Sequence, residues 1–472
     1  MVNSYKGETT MSIWDDDMEW DDDSEDDDDI DWDDDIDWDD DPELRQFKVK
    51  KGELIEYTGD EYVVVIPYGV TRIVDDVFAH REYLMGVEFP EGVQSIGYYA
   101  FFDCKDLEYV EFGKGLLKIE EFAFSGCSSL ESVELPEGVK SIEACAFSEC
   151  HDLKSVQIRK GLTSIEDETF SRCWDLESVE IPEGVTSIGD YAFNECNHLE
   201  SIKIPEGVTF IGGSAFSYCN SLRSVTIPKG VEDIRDEVFY GCSGLESVDI
   251  PEGIKSIGNY AFSGCKSLGS IEIPKGVTRI GKGAFSGCSS LTSVMIPEGV
   301  VRIGNSAFSG CRSLTSVTIP EGVTKMGGGI FAWCDSLREV ICYSAYVAPF
   351  FNIPAGVKLI YLGGPLSDLP EKYRKKAAGG FIYALQEGIT EVDQWREEYL
   401  EYIRDNVKIF IRDAKDERPF LLFLIREKLL DIRATKRFMK QYEESDDSEV
   451  KDAILQYYEE QFGTDSPGDF HF

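Results

Sequence analysis

The sequence predicts a parallel β-solenoid of about thirteen coils, with short strands and tight helical turns, followed by a small all-α domain and preceded by an acidic arm. Three observations lead to this prediction. Cysteine recurs at a fixed interval through the middle of the chain, acidic residues crowd its start, and the apolar spacing changes from two to about 3.6 near its end. Periods of roughly 20 to 50 residues are typical of solenoids, whose units bury their apolar edges by stacking.

Eleven of the thirteen cysteines mark the repeat, because each lies 23 residues after the one before it. A Phe precedes each of them by three residues, and a Leu follows each by three. We expect these side chains to be core residues, since zinc sites need paired short spacings and eleven equivalent thiols cannot all form disulfides. The first and last typical examples of this predicted structural core are Phe101, Cys104 and Leu107, and Phe308, Cys311 and Leu314.

The letters of one unit, AFSGCSSLTSVMIPEGVVRIGNS, account for the path of a coil. Val294 and Ile296 are two residues apart, so both point inward from a short strand. Pro297 then ends the ladder pairing, because it has no N–H to donate. Val300 and Ile303 are expected to return to the core before the tight helical turn that carries the next Phe and Cys.

The consensus A-F-x-x-C-x-x-L-x-S-V-x-I-P-x-G-V-x-x-I-G resembles the BspA-like, treponemal-type leucine-rich repeat family. The resemblance covers residues 62–342, where the strand pairs recur from Val64/Ile66 to Val340/Cys342. It implies a leucine-rich repeat solenoid that binds other proteins, and some members of the family look like surface adhesins. General leucine-rich repeats have Asn or Cys where this consensus has Gly, so the geometry of an asparagine ladder is not carried over.

The outward strand positions should align into columns, and solenoids commonly bind partners on such faces. Two columns are mainly acidic in the first half of the array and largely neutral in its last coils. We expect the acidic half to bind a basic surface of a protein partner, and the Thr and Met end to supply drier contacts. A strand face that is charged only for solubility is the alternative. The predicted contact residues are Glu88, Glu111, Glu134, Glu180, Lys203, Asp249, Glu272, Met295 and Thr318 in the first column and Glu108, Glu131, Glu177 and Arg223 in the second.

Residues 1–43 form the acidic arm, in which positions 15–41 hold twenty Asp or Glu and no Lys or Arg. So dense a block of like charge repels itself and buries little, which predicts disorder. The arm is either a solubilising tail or a ligand whose aromatic residues anchor in a groove of another protein. Its tryptophans are spaced by multiples of six residues: Trp14, Trp20, Trp32 and Trp38.

An α-helical domain is predicted beyond Gly363, because the apolar period there is about 3.6. The segment from Thr390 to Asp393 has the character of a capping box at the start of a helix. Pro419 is expected in the first turn of another helix, and two more are predicted near 432–443 and 447–461. The helix pairs faintly resemble degenerate ankyrin-type units, and they either cap the solenoid or form a second binding module. The predicted domains are the arm, 1–43; the solenoid, 44–362; the helical domain, 363–464; and a disordered tail, 465–472.

Composition argues against several classes of function. The chain has 46 Lys and Arg against 90 Asp and Glu, a net charge of −44, and direct binding of nucleic acid requires clustered basic residues. Only four histidines occur, far apart in sequence, so we expect no enzyme, no cofactor and no required metal. The sequence has no run of about 18 apolar residues, so no membrane-spanning helix is predicted. Free thiols and a start without the apolar core of a secretory signal predict a cytoplasmic location.

The sequence therefore predicts a non-enzymatic scaffold that binds a protein partner through the outward strand face. One alternative is a cell-surface adhesin that is exported without a cleaved signal. Another is a decoy whose acidic arm sequesters basic proteins. Deleting residues 1–43 should abolish binding by a decoy, whereas a scaffold should keep most of its affinity.

Overall fold

The computed structural model describes residues 44–344, 356–369, 371–386, 388–415, 417–443 and 445–463. They form a solenoid of about thirteen coils of parallel strands and then a small helical region, which confirms the predicted fold class. The predicted acidic arm at 1–43 and the predicted tail at 465–472 lie outside the described residues, and the domain boundaries at 43, 362 and 464 stay predictions.

A β-hairpin that the sequence analysis did not predict precedes the first coil. Its strands, Phe47–Lys50 (β1) and Glu53–Tyr57 (β2), pair antiparallel. The second strand also pairs in parallel with Arg72–Ile73 (β4) of the solenoid. The ring of Tyr57 lies 4.9 Å from that of Phe78, between centroids, and covers the end of the solenoid core.

One side of every coil carries a three- or four-residue strand, and we call this the strand side. In a typical strand the middle residue is buried and its two neighbours are exposed, because successive side chains of a strand point to opposite faces. Most equivalent strands pair in parallel one repeat apart, so that Val133, Val156 and Val179 are direct neighbours. These strands are Val63–Val65 (β3), Gly86–Glu88 (β5), Tyr109–Glu111 (β7), Ser132–Glu134 (β9), Ser155–Gln157 (β11), Ser178–Glu180 (β13), Ser201–Lys203 (β15), Ser224–Thr226 (β17), Ser247–Asp249 (β19), Ser270–Glu272 (β21), Ser293–Met295 (β23), Ser316–Ile319 (β25) and Glu339–Cys342 (β27).

A second side of each coil carries a two-residue strand, which the sequence analysis had interpreted only as a return of Val and Ile to the core. The Ile of each such strand is buried, and the short strands pair in parallel from coil to coil. After β4 they are Ser95–Ile96 (β6), Lys118–Ile119 (β8), Ser141–Ile142 (β10), Ser164–Ile165 (β12), Ser187–Ile188 (β14), Phe210–Ile211 (β16), Asp233–Ile234 (β18), Ser256–Ile257 (β20), Arg279–Ile280 (β22), Arg302–Ile303 (β24) and, with Met in place of Ile and only partly buried, Lys325–Met326 (β26).

The third side, which we call the turn side, consists of tight turns rather than helices. Each turn contains two residues with positive φ, one before the Ala-Phe pair and one before the Cys, as at Tyr191 (56°) and Glu195 (59°). Its backbone N–H groups donate to the next coil, since Phe193 N–H bonds to the Ala215 carbonyl at 2.8 Å. The turn side therefore adds a third set of bonds between coils.

The core of the solenoid contains a continuous column of phenylalanine rings. Successive centroids are 4.8 to 6.0 Å apart, and the ring planes lie within 17° of parallel. Offset stacking at such distances stabilises aromatic pairs beyond the burial of their area. The rings belong to Phe78, Phe101, Phe124, Phe147, Phe170, Phe193, Phe216, Phe239, Phe262, Phe285, Phe308 and Phe331.

The repeat cysteines lie beside this column, and all thirteen cysteines of the chain are buried and free. Each thiol of the column donates to the carbonyl oxygen of a Phe 26 residues earlier, with Sγ···O distances of 3.0 to 3.3 Å. Cysteine thus fills a small apolar space and also donates to a buried carbonyl, which in most coils accepts a backbone N–H as well; alanine could not make this second bond. In the first copy Arg81 replaces the thiol and donates to the carbonyls of Tyr57 and Gly59 in the hairpin.

The helical region begins where the strand side ends. Lys358–Tyr361 (β28) extends the ladder in parallel with β27, and Glu339 lies opposite Lys358, so the last step of the ladder is shorter than a full repeat. Short 3₁₀ helices occupy Leu366–Asp368 and Thr390–Trp395. The α-helices are Glu371–Gln386 (α1), Arg396–Asp405 (α2), Val407–Asp413 (α3), Arg418–Arg426 (α4), Ile432–Tyr442 (α5) and Ser448–Phe462 (α6).

Most of these helices agree with the sequence-based expectation, but two features do not. Helix α1 was missed, because Gly379 and Gly380 in its middle weaken the helical pattern. The capping box at Thr390 was wrong: Thr390 starts a 3₁₀ helix, and the preceding Ile389 makes no side-chain capping bond. Asp431 and Asp447 instead cap α5 and α6 by accepting bonds from backbone N–H groups.

Replacing Gly380 with alanine is expected to destabilise the protein by about 3 kcal/mol, because a Cβ there would overlap the Leu359 carbonyl of β28, and backbone cannot move aside cheaply. Gly379 is the matched control, since a Cβ at that position meets only the end of the Phe420 ring, at 3.2 Å. Gly379→Ala should be neutral or stabilise the helix by about 0.5–1 kcal/mol. Urea unfolding of both variants measures the difference, and equal stabilities would contradict the close contact between α1 and β28.

Candidate partner-binding face on the strand side

All thirteen predicted contact residues lie on the strand side, where twelve are exposed and Glu88 is half-buried. Those of the first column directly follow an inward residue of the strand. The register places Glu134 and Glu180 on either side of Gln157, on consecutive strands. The structure thus brings the acidic positions of the first coils into one column, with a spacing of about 4.8 Å between neighbouring strands.

Some of these charges are already paired within the protein. Glu134 bonds to Arg159 at 2.7 Å, and Glu131 pairs with Lys154 at 3.2 Å. By contrast, the other seven acidic residues among the predicted contacts form no ion pair with any residue in the described part of the chain: Glu88, Glu108, Glu111, Glu177, Glu180, Asp249 and Glu272. These carboxylates leave negative charge on the face available to a partner.

A serine column separates the two predicted columns, and the sequence analysis did not name it. It begins at Ser132 and recurs as the first residue of each strand up to Ser316, with every member exposed. Because serine is short, the acidic side chains on both sides rise above it. The recurring Ser of the consensus indicates this column. That it forms a low strip between two rows of longer acidic side chains is seen only when the strands are placed side by side.

A groove crosses the strand side where Tyr109 takes the position that serine occupies in later coils. The ring of Tyr109 lies over Gly86 of the preceding coil, where a Cβ would overlap it. The next coil has only Ser132 at this position, and a groove of about 940 Å³ opens beside it. Burial and then the charges of Glu88 and Glu111 raise the pKa of Tyr109. The groove therefore combines an aromatic wall with a lining of three carboxylates and two cations, Lys114 and Arg159.

Exposed apolar side chains lie at the start of the strand side, which the sequence analysis also missed. Val63 and Val65 flank the inward Val64 of β3 and are 41% and 60% exposed. Tyr62 and Met85, close to them in the ladder, are exposed as well. The run of three valines was a signal, because a half-buried strand normally alternates apolar and polar residues. Apolar groups exposed together in this way are typical of contact surfaces.

The described residues offer no site for a metal ion: no three His, Cys, Asp or Glu side chains come together to hold one. No helix within the same part of the chain is long and apolar enough to cross a membrane. Two of the histidines contact carboxylates, His80 that of Asp103 at 3.3 Å and His198 that of Asp175 at 3.1 Å. Both contacts lie at the surface of the solenoid.

Comparison with protein families finds a match to the model described as the BspA type leucine-rich repeat region, over residues 61–173, 118–246 and 232–347. No curated protein matches the chain.

Several solved structures are similar to the solenoid. A leucine-rich cell surface protein from Faecalibacterium prausnitzii is 29% identical, with a TM-score of 0.46, and the alignment covers 67% of this chain and 91% of that one. A leucine-rich repeat protein from Bacteroides ovatus is 26% identical, with a TM-score of 0.49 and coverage of 67% and 97%. The pneumococcal vaccine antigen PcpA is 20% identical, with a TM-score of 0.43 and coverage of 66% and 85%.

Proposed function

Because the chain belongs to the BspA-type leucine-rich repeat family, we propose that it is a non-enzymatic scaffold that binds a protein partner through its strand side. The family match, which spans residues 61–347, also confirms the resemblance drawn from the consensus. The observation that carries the proposal is the juxtaposition of exposed Val63 and Val65 with the exposed carboxylate of Glu111 on one pre-formed ladder.

Binding would use this face without rearrangement of the backbone. The outward positions belong to strands that pair with at least one neighbouring strand, so little conformational entropy is lost when a partner docks. The apolar residues of the first coils would supply the desolvated contact, and the carboxylates around them would select a basic partner and raise its association rate. Salt should weaken the complex, because charges are screened beyond about 8 Å at physiological ionic strength.

Charge reversal tests this assignment. The full-length protein is used to isolate partners from its native cell, and the affinity of each partner is then measured for a variant with Glu111→Lys, Glu177→Lys and Glu180→Lys. We expect the affinity to fall at least about tenfold. Each reversed charge loses an attraction of roughly 0.5 kcal/mol and adds a repulsion of similar size. An unchanged affinity would contradict the proposal.

A matched control carries the same change of net charge at three exposed glutamates in the turns that follow the strands, Glu206, Glu298 and Glu321. Its affinity should stay within about twofold of the wild type. An equal loss in both variants would mean that overall charge, and not the strand side, attracts the partner.

Deletion of residues 1–43 distinguishes the scaffold from an acidic decoy. The scaffold should keep most of its affinity, whereas a decoy should lose it. The location is part of the same proposal: thirteen free thiols suit a reducing compartment such as the cytoplasm. Proteolysis of intact cells tests it, since cleavage of the protein at the cell surface would favour an adhesin instead.

A further inference from the structure

A second groove, of about 670 Å³, lies on the turn side and spans the coils between residues 168 and 260. Its floor is a polar ladder in which Ser217 Oγ donates to Asn194 Oδ1 at 2.5 Å and Asn194 Nδ2 donates to Ser171 Oγ at 3.4 Å. Its walls are mainly tyrosine and glutamate. We call it the tyrosine groove, lined by Tyr191, Tyr218, Tyr240, Tyr260, Glu195 and Glu237.

Three of the lining residues depart from the repeat at a position with a conformational cost: Arg172, Glu195 and Tyr218. Eight residues of this groove have φ between 54° and 60°, a left-handed region that is unfavourable for L-residues other than glycine. Five of the eight lie two residues before the Phe, where most coils also have a non-glycine residue with positive φ. The position before Cys is Gly in five coils, such as Gly241 and Gly264, whereas four consecutive coils have Glu149, Arg172, Glu195 and Tyr218 there. Backbone strain of this kind often lies at functional sites.

The tyrosine rings are held in fixed positions by the coils next to them. The ring of Tyr218 lies against Gly241, where a Cβ would be only 2.7 Å from Cδ1. Its centroid is 5.3 Å from that of Tyr240, in an edge-to-face arrangement. Tyr218 is nonetheless 42% exposed. A rigid ring that offers part of its surface to solvent is suited to bind a flat or cationic group at low entropic cost.

One ring of the groove already carries a cation from this chain. Lys282 Nζ lies 5.2 Å from the centroid of Tyr260, within the range of a cation–π interaction. The faces of Tyr191 and Tyr218, farther along the groove, have no such cation among the described residues. The structure therefore contains an internal example of the contact that the other rings could make.

The charge of the groove is negative. Its lining contains Arg172, but this cation is engaged by Glu149 at 2.6 Å and by Glu195 at 3.8 Å. Glu168 and Glu237 form no ion pair with the residues that the structure describes. Burial, a hydrogen bond with Tyr240 and the nearby carboxylates Glu195 and Glu237 raise the pKa of Tyr218, in agreement with a negative potential at its hydroxyl.

We propose that the tyrosine groove binds an arginine side chain of a partner peptide. The guanidinium plane would stack on Tyr218 beside Tyr191, and its N–H groups would donate to the Glu237 carboxylate and to the polar floor at Asn194. A planar cation with several donors fits this combination of rings and acceptors better than a neutral sugar, which gains nothing from the charge. The site lies on a different side of each coil from the strand face, so it does not depend on the function proposed above.

The test uses the full-length protein and the peptide acetyl-Gly-Arg-Gly-Arg-Gly-amide. Its analogue with citrulline in place of arginine has nearly the same shape but no charge, and it serves as the reference ligand. Titration calorimetry at fixed ionic strength should show at least about tenfold tighter binding of the arginine peptide. Binding of the two peptides with equal affinity would overturn the proposal.

Two variants separate the groove from the overall negative charge of the chain. Tyr218→Leu removes a ring without changing charge and should weaken the arginine peptide at least about fivefold, whereas Tyr218→Phe should retain binding. The control Tyr68→Leu removes an 80% exposed ring elsewhere and should have no effect. If Tyr218→Leu, shown to be folded by its circular dichroism, bound the peptide as tightly as the wild type, the site would be disproved.

The acidic wall gives an independent readout. Glu237→Gln removes one carboxylate that has no ion pair in the described structure, and it should weaken the arginine peptide but leave the citrulline peptide unchanged. A loss of the same size for both peptides would mean that Glu237 supports the shape of the groove and does not contact the cation. The proposal would likewise be overturned if the groove bound neutral oligosaccharides and bound the arginine peptide no more tightly than the citrulline peptide.

Discussion

Raising the pH from 9 to 10 is expected to lower the free energy of unfolding by on the order of 10 kcal/mol, which would unfold the solenoid. The cause is the set of thirteen buried thiols. Burial raises the pKa of Cys104 and Cys242 to about 12, and that of Cys127 well above its ordinary value. In the unfolded chain the thiols ionise near pH 9, where the folded chain still holds their protons.

The direction of the effect follows from this difference in bound protons. Below about pH 9 both states are protonated, and the stability is at its full value. Above it the unfolded state releases protons that the folded state keeps, so stability falls as pH rises toward the raised pKa of the folded state. Each thiol contributes about 1 kcal/mol between pH 9 and 10, and a domain of ordinary stability has only about 5–15 kcal/mol to lose.

Urea unfolding at pH 8, 9, 9.5 and 10 in the presence of a reductant, followed by circular dichroism, measures this dependence. The matched variant replaces Cys242, Cys265 and Cys288 with alanine. It should start from a lower stability at pH 8 but lose about 3 kcal/mol less than the wild type between pH 9 and 10. Parallel pH profiles for the two proteins would show that the thiols are not the titrating groups.

Replacing Phe193 with alanine is expected to lower the free energy of unfolding by about 3–5 kcal/mol. Phe193 is fully buried, and its ring centroid is 5.5 Å from those of both Phe170 and Phe216. The substitution removes two ring contacts and leaves a cavity, because the backbone on either side is held by ladders. Each coil contacts only its neighbours, so a gap in the middle of the array should also uncouple its two halves.

Unfolding in urea should therefore occur earlier and in two steps instead of one. Phe193→Leu keeps most of the volume and should cost less than about 1.5 kcal/mol. Tyr68→Ala, at an exposed position, should change the stability by less than about 0.5 kcal/mol. A loss below about 1 kcal/mol for Phe193→Ala would show that the ring column contributes little to stability.

The solenoid could be predicted because its signal is repeated: the Phe, Cys and Leu positions recur in one register, so a single interpretation applies to every coil. The parts of the chain that occur only once were harder to predict. The hairpin β1–β2 occurs once and has no second copy to support it. Helix α1 contains Gly380, which has a low helix propensity and therefore argues against a helix in the sequence. Glycine is needed there because the helix packs closely against Leu359.

The two candidate surfaces differ in the same way. The exposed columns follow from the alternation of strand residues, and the contact positions such as Glu111 could be named in advance. The tyrosine groove could not, because most of its residues come from left-handed turn positions that vary between coils and that the consensus leaves open. That Tyr218 lies between Glu195 and Tyr240 can be recognised only when these residues are placed in the coils on either side of it.

The constant length of the repeat has a consequence for how such a protein changes in size. Almost every hydrogen bond between neighbouring coils joins residues about one repeat apart, so excision or duplication of a whole repeat, for example residues 193–215, would leave the remaining partners matched. Recombination could lengthen or shorten the array in increments of about 4.8 Å without inventing new packing. The length of the surface that the solenoid offers to a large ligand is therefore set by the number of repeats in the gene.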